Sequence, residues 1–520
     1  MNDPKNIKSV TIDGQSLTLD AFVAVSRFHA PVKLSDTAMM AMEKSRALVE
    51  KIMAEKRVAY GITTGFGDFA TVAVPEERSN KLSTNLILSH CTGTGDPYSE
   101  EQVRGMMLLR ANALCVGISG VRPILVEMLV QMLNKKVTPY IPQKGSLGAS
   151  GDLAPLSHMG LVLLGRGEAW YNGQLLPGYQ AMKKAGIPIL DSLASKEGLG
   201  ITNGTCAMTS VGALVVYDAI QTAQMADLIS SLTFTALTGQ VNAFQERMHT
   251  ARGHLGQIQV AKNMRMLTED SEIVQNYQGI RVQDAYALRC IPQVHGAVRD
   301  ALSYVKSKVD IELNAVTDNP LLFLEDEAVI SGGNFHGEPM ALPFDFLGIA
   351  LSEIASISER RLERMVNAQL SNGLTPFLTT DGGINSGFMI VQYAAASMAS
   401  ENKVLAHPAC VDSIPSSAGQ EDFVSMGTTA ARKAVTILEN TRSCLAYELL
   451  TACQAIDIRC NNAYASGLSP IGDAVYSLVR SRADFMEVDR ELWPDIKAIE
   501  AIVRSGELIA LLREYLPDFA

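Results

Sequence analysis

The 520-residue sequence predicts a mainly α protein, a bundle of long helices with small β hairpins set mostly in its N-terminal part. Three observations lead there. The stretches 297–314, 346–370, 387–405 and 425–459 are rich in Ala, Leu, Glu and Met, nearly free of proline, and too long for strands. Hydrophobic residues make up 47% of the chain and charged ones only 19%, so such helices must bury surface against one another or between subunits. Strand signals, by contrast, are short and sit beside turn residues.

In chain order, Val10-Thr-Ile-Asp-Gly14 reads as a tight hairpin, and so does Trp170-Tyr-Asn-Gly173. A third hairpin lies near 322–330, turning through Glu325-Asp326. Asn203-Gly-Thr205 is a helix N-cap signal. Gln283, Tyr286 and Arg289 stand at i, i+3 and i+6, which a helix brings towards one face. Gln392-Tyr-Ala-Ala-Ala-Ser-Met-Ala-Ser400 suits close helix approach. Glycine-bearing loops fall near 61–67, 93–95, 145–151, 332–337 and 413–420, where chemistry tends to sit. No repeat or long linker divides the chain. The predicted organisation is an N-terminal mixed segment 1–200, a central long-helix bundle 201–480 and a C-terminal helical segment 481–520.

A net charge of −11 argues against a nucleic-acid partner, which calls for a basic face. The start, Met-Asn-Asp-Pro-Lys, lacks a basic-then-apolar secretory run. No stretch approaches the roughly 18 uninterrupted apolar residues of a membrane span. Eight cysteines without C-x-x-C spacing suggest neither a zinc site nor a disulfide framework. No metal is expected from eight scattered histidines, and no phosphate loop is present. The expectation is a soluble, reduced, cytoplasmic protein.

Chemistry concentrates at Ala149-Ser150-Gly151, within a run that also holds Gly145 and Gly148. Such a segment can bend until the Gly151 amide nitrogen reaches the Ala149 carbonyl carbon, an approach that a β-carbon on the attacking residue would crowd. Ring closure with loss of two waters turns Ser150 into an exocyclic methylidene, an electrophile no ordinary side chain provides. Taken alone, the triplet is a glycine-rich turn before a helix. Its companions are Tyr60-Gly-Ile-Thr-Thr-Gly-Phe-Gly67, Asn203-Gly-Thr205, Gln283-Asp-Ala-Tyr-Ala-Leu-Arg289, Leu313-Asn-Ala-Val-Thr-Asp-Asn-Pro320, Ser331-Gly-Gly-Asn-Phe-His336, Val411-Asp-Ser-Ile-Pro415 and Ser416-Ser-Ala-Gly-Gln-Glu-Asp422.

Together, from about residue 60 to 459, these motifs resemble the aromatic amino acid ammonia-lyases, whose helix bundle is of the ammonia-lyase/fumarase-like type. The resemblance implies 4-methylidene-imidazol-5-one (MIO) formed autocatalytically from Ala149, Ser150 and Gly151, with no external cofactor. It implies addition of the substrate amine to the methylidene, which makes nitrogen a better leaving group. Tyr60 is then the base for the β-proton; a free phenol titrates near 10, so its pKa would have to fall. Arg289 suits the substrate carboxylate with its planar fork. Asn203 and Tyr286 resemble donors near the MIO carbonyl and the substrate; Gln283 and Phe335 line the site, Phe335 as an apolar wall. A homotetramer with shared active sites is also implied.

Leu86-Ile-Leu-Ser-His90 and Gln420-Glu421 resemble the histidine branch, in which His90 and Glu421 read an imidazole. The product is then urocanate. Gly419 and Phe423 depart from the Asn-Gln-Glu-Asp-His of that branch, and Phe423 favours tyrosine or phenylalanine, giving coumarate or cinnamate. Thr63 stands where the family often has Asn. An MIO-dependent aminomutase and a catalytically silent helical oligomer remain open alternatives.

Overall fold

The computed structural model describes residues 3–461 and 467–520. Among them are twenty α-helices and nine strands, no strand exceeding four residues, so the mainly α expectation holds. The chain forms two compact units. One contains the chain up to Tyr217 with Lys306–Asp345 and Pro408–Arg432; the other contains Asp218–Val305, Phe346–His407 and Lys433–Ala520. These units interleave along the chain.

The hairpins divide into two that form and one that does not. Glu168–Tyr171 pairs antiparallel with Gln174–Pro177, closing Tyr171 on Gln174. The two turn residues, Asn172 (φ 50°) and Gly173 (φ 75°), both take the positive φ that a two-residue hairpin favours. Leu321–Phe323 likewise pairs antiparallel with Ala328–Ile330. Val10–Ile12 is a correction: it pairs in parallel with Val32–Leu34, with the Leu19–Ser26 helix between them. The reversal fails because the turn is tied elsewhere. The Gly14 amide donates to Asn112 Oδ1 at 2.9 Å, and Asp13 accepts from the Gln15 and Ser16 amides.

The long helices appear with shifted ends. They run Ile291–Glu312, Glu338–Val366, Met389–Leu405 and Gly427–Arg459. The first starts early because Pro292 occupies a first-turn position, where no intrahelical donor is needed. The second continues through Pro343, which the sequence suggests as a boundary. A fifth, Cys206–Ala236, spans 31 residues. It and Glu338–Val366 have the length and hydropathy of membrane spans, yet 89% and 67% of their apolar windows are buried in protein. They are core helices. In the second unit four of these helices meet at buried polar and charged groups: Asp227 Oδ1 and His295 Nδ1 at 2.7 Å, Arg299 on Asp227 Oδ2 at 2.6 Å, and Arg361 forked on Glu448 at 2.5 and 2.9 Å.

Candidate active site

A cavity of about 1030 Å³ in the first unit gathers Tyr60, His90, Ser150, Asn203 and Glu421 on its wall. Each arrives on a different element. Ser150 lies on the loop between the Pro142–Lys144 strand and the Leu153–Leu163 helix. Gly151 has φ 80°, and a Cβ placed there would come 2.2 Å from Gly204 O, so only glycine allows the two backbones to touch. Across that contact the Asp152 amide donates to Gly204 O at 2.8 Å, while the Gly204 amide and Asn203 Nδ2 both donate to Ser150 O at 3.3 Å. Two donors thus converge on one carbonyl oxygen, the arrangement that stabilises negative charge.

Asp152 escaped the sequence analysis. It is fully buried; its Oδ2 accepts from the Ala207 and Met208 amides at 2.9 Å, its Oδ1 from Ser146 Oγ at 2.9 Å and from Thr428 Oγ1. Burial pushes its carboxyl above the usual range against the pull of those hydrogen bonds. The carboxylate ties the triplet to the first turn of the Cys206–Ala236 helix.

Glu421 faces the triplet. Ser150 Oγ donates to Glu421 Oε1 at 2.7 Å, and Ser416 Oγ to Oε2 at 3.2 Å. The turn that presents Glu421 closes by paired backbone bonds between Ser416 and Glu421 and passes through Ser417, Ala418 and Gly419, all at positive φ. Gly419, at φ 86°, explains one departure from the histidine branch, because asparagine and glycine are the two residues at ease in that region. Phe423 explains the other. It is 61% exposed, stacks on His336 with centroids 6.0 Å apart, and is absent from the cavity wall. Within the single chain it therefore lies neither on that wall nor in the core.

His90 ends the Glu76–His90 helix, with Nδ1 2.9 Å from Ser89 Oγ. Burial holds its pKa below the usual value, opposed by the Glu421 charge. Tyr60 accepts from the Gly67 amide at 3.1 Å and meets Phe66 edge-on. Thr63 serves the base of this loop, donating to Arg57 O and accepting from the Ala59 amide, a backbone task that leaves the cavity untouched.

Gln283, Tyr286 and Arg289 form a separate group on the second unit. Arg289 Nη1 donates to Gln283 Oε1 at 2.6 Å, and its guanidinium stacks 4.5 Å over the Tyr286 ring. The common helix face is a correction: only Tyr286–Arg289 is helical, and Gln283 precedes it in chain without regular structure. Tyr286 is 70% exposed. Phe335 is half-buried and, like these three, does not line the cavity. Among the described residues no cluster of His, Cys, Asp and Glu could hold a metal ion.

A family model described as aromatic amino acid lyase matches residues 17–481. The histidine ammonia-lyase of Caldanaerobacter subterraneus subsp. tengcongensis is 55% identical over 508 residues, 98% of this chain and 99% of that protein. Among solved structures, a tyrosine aminomutase from Streptomyces globisporus aligns with a TM-score of 0.92 at 38% identity, covering 98% of this chain and 99% of its own. The histidine ammonia-lyase from Trypanosoma cruzi gives 0.90 at 39% identity, with 98% and 96% covered.

Proposed function

The chain belongs to the aromatic amino acid lyase family, and from that premise we propose that it removes ammonia from L-histidine to leave trans-urocanate. One juxtaposition carries the choice of substrate. Glu421 Oε1 lies 2.7 Å from Ser150 Oγ on a cavity that His90 also lines, so an acidic and an imidazole ring-reader stand beside the reacting residue.

MIO, closed from Ala149, Ser150 and Gly151 with loss of two waters, supplies an electrophilic methylidene carbon for the substrate amine. The remaining tasks fall to this chain's own groups. Tyr60 takes the β-proton as general base. Asn203 Nδ2 and the Gly204 amide hold negative charge that reaches the Ser150 carbonyl oxygen. The hydroxyl that donates to Glu421 Oε1 is the one lost as water on cyclisation, so that oxygen becomes free to accept an imidazole N–H. His90, kept neutral by burial, supplies the complementary ring contact.

The proposal includes a cytoplasmic homotetramer with shared active sites. Large apolar side chains left exposed on the long helices support it, among them Phe346 at 43%, Ile390 at 61% and Tyr393 at 58%. In that assembly Gln283, Tyr286 and Arg289 are the group a neighbouring copy contributes, with Arg289 forked on the substrate carboxylate.

Purified protein given histidine, tyrosine and phenylalanine separately is expected to yield urocanate with matching free ammonia. Its intact mass should fall short of the sequence mass by two waters. Coumarate without urocanate would overturn the substrate. The tyrosine aminomutase likeness favours a second reading, which a β-amino acid formed without free ammonia would establish.

A further inference from the structure

Beneath Ser150, one helix ends where another begins. Glu197–Thr202 stops at Asn203, and Cys206–Ala236 starts just beyond. The joint between them carries both donors to Ser150 O. Asp152 anchors its far side through the Ala207 and Met208 amides. Its near side is held by Arg110, on the Glu100–Cys115 helix, whose side chain is fully buried. Arg110 Nη1 donates to Gly200 O at 3.1 Å, and Nη2 to Cys206 Sγ at 3.0 Å. A Cβ on Gly204 would lie 2.3 Å from Arg110 Nη2 and 2.2 Å from Thr317 Oγ1, so guanidinium and threonine both abut the residue that contacts Gly151.

Packing alone does not account for a charge in this place. Among the described residues no carboxylate lies within ion-pair distance of Arg110, and its buried Nε has no hydrogen-bond partner. The neighbouring Lys196 is matched by Asp318 at 2.5 Å, which leaves Arg110 without a counter-ion of its own. An uncompensated buried cation destabilises a fold. At the C-terminal end of a short helix, against the Gly204 whose amide meets an oxygen that gathers negative charge, the same cation becomes useful.

We propose that Arg110 is a positioning residue for the lyase reaction. It fixes the backbone from Gly200 to Gly204 so that Asn203 Nδ2 and the Gly204 amide meet the Ser150 carbonyl oxygen together. The inference rests on the MIO-dependent function proposed above.

Arg110→Gln and Arg110→Lys, compared with wild type on histidine, test it, with intact mass giving the fraction of chains that have cyclised. For Arg110→Gln, kcat per cyclised site is expected to fall about tenfold to a hundredfold while KM stays within about twofold, because His90 and Glu421 are untouched. Arg110→Lys keeps the charge without the fork and should recover only part of kcat. If Arg110→Gln does not fold, Arg110→Lys decides alone: wild-type kcat in that variant overturns the proposal. A folded Arg110→Gln impaired through KM alone overturns it too. Wild-type protein carrying its full sequence mass would instead remove the parent reading, a result distinct from unimpaired variants in a wild type short by two waters.

Discussion

Asp152 occupies the position that caps the Leu153–Leu163 helix, yet its carboxylate caps a different one, accepting from Ala207 and Met208. An aspartate before a helix reads as that helix's own cap, and nothing local betrays a partner 55 residues away. That Ser150, Asn203, Tyr60, His90 and Glu421 belong together was legible for the opposite reason: each stands in a motif of the family pattern, and the structure lines one cavity with all five. The orientation of Phe423 was not legible, because its position in the motif says nothing of where its ring points. Asp152→Asn keeps the shape but leaves one accepting oxygen where two accept from four donors. Its urea midpoint should drop by the equivalent of about 1–3 kcal/mol, the penalty for leaving buried groups unsatisfied. Intact mass should show a fraction of chains still holding both waters. A fully cyclised variant with an unchanged midpoint would mean that Asp152 holds nothing that its neighbours do not.

Among the elements, periodicity and turn chemistry read well wherever the determinants are local. Asn172-Gly173 closes its hairpin because both residues tolerate positive φ. Asp13-Gly14 has equally good turn residues, but Asn112 captures the Gly14 amide and the chain goes on to a helix. The Cys206–Ala236 helix was not singled out because it is buried on nearly every side, so it lacks the polar stripe that marks an amphipathic helix. Several of its polar side chains find partners inside the protein, Ser210 on Gln102 O and Thr233 on Glu448 Oε1 among them. Asp227 alone accepts from Asn263 and Arg299 and pairs with His295, and the Arg299 charge with these hydrogen bonds holds its carboxyl below the usual range against the effect of burial. Asp227→Ala strips the counter-ion from Arg299 and leaves His295 without its partner. Removing one member of a buried pair costs about 3–5 kcal/mol, and denaturant unfolding should show a loss of that order. A variant within experimental scatter of wild type would show that the bundle is held by apolar packing alone.

At the scale of the whole molecule, the cavity was out of reach of the sequence as geometry, since its walls come from four segments far apart in the chain. The two units were equally hidden, because four of their five boundaries fall inside helices. A global property does follow from the buried and half-buried histidines. Burial holds His29, His90, His158, His249 and His295 below the usual value of 6.5. Above that value native and unfolded chains carry these rings alike, uncharged. Below it the unfolded chain takes up protons that the native state refuses, so stability falls with pH until the native rings titrate. Asp152 and Glu312 act in the opposite sense, for burial makes the native state hold their protons more tightly and stability is gained as pH falls towards the ordinary carboxylate range. The wild-type slope is therefore a sum, and one substitution isolates a part of it. His158 Nε2 accepts from the Gly93 amide at 3.1 Å, a bond only the uncharged nitrogen can make, and it ties the turn after His90 to the helix after Ser150. In His158→Gln the side-chain oxygen takes over that bond without titrating. Melting temperatures of variant and wild type, compared from about pH 7.5 to about pH 5.5, should diverge in the variant's favour as the pH falls. A difference that stays constant across the range would show that His158 binds protons equally in both states and contributes nothing to the acid sensitivity of the fold.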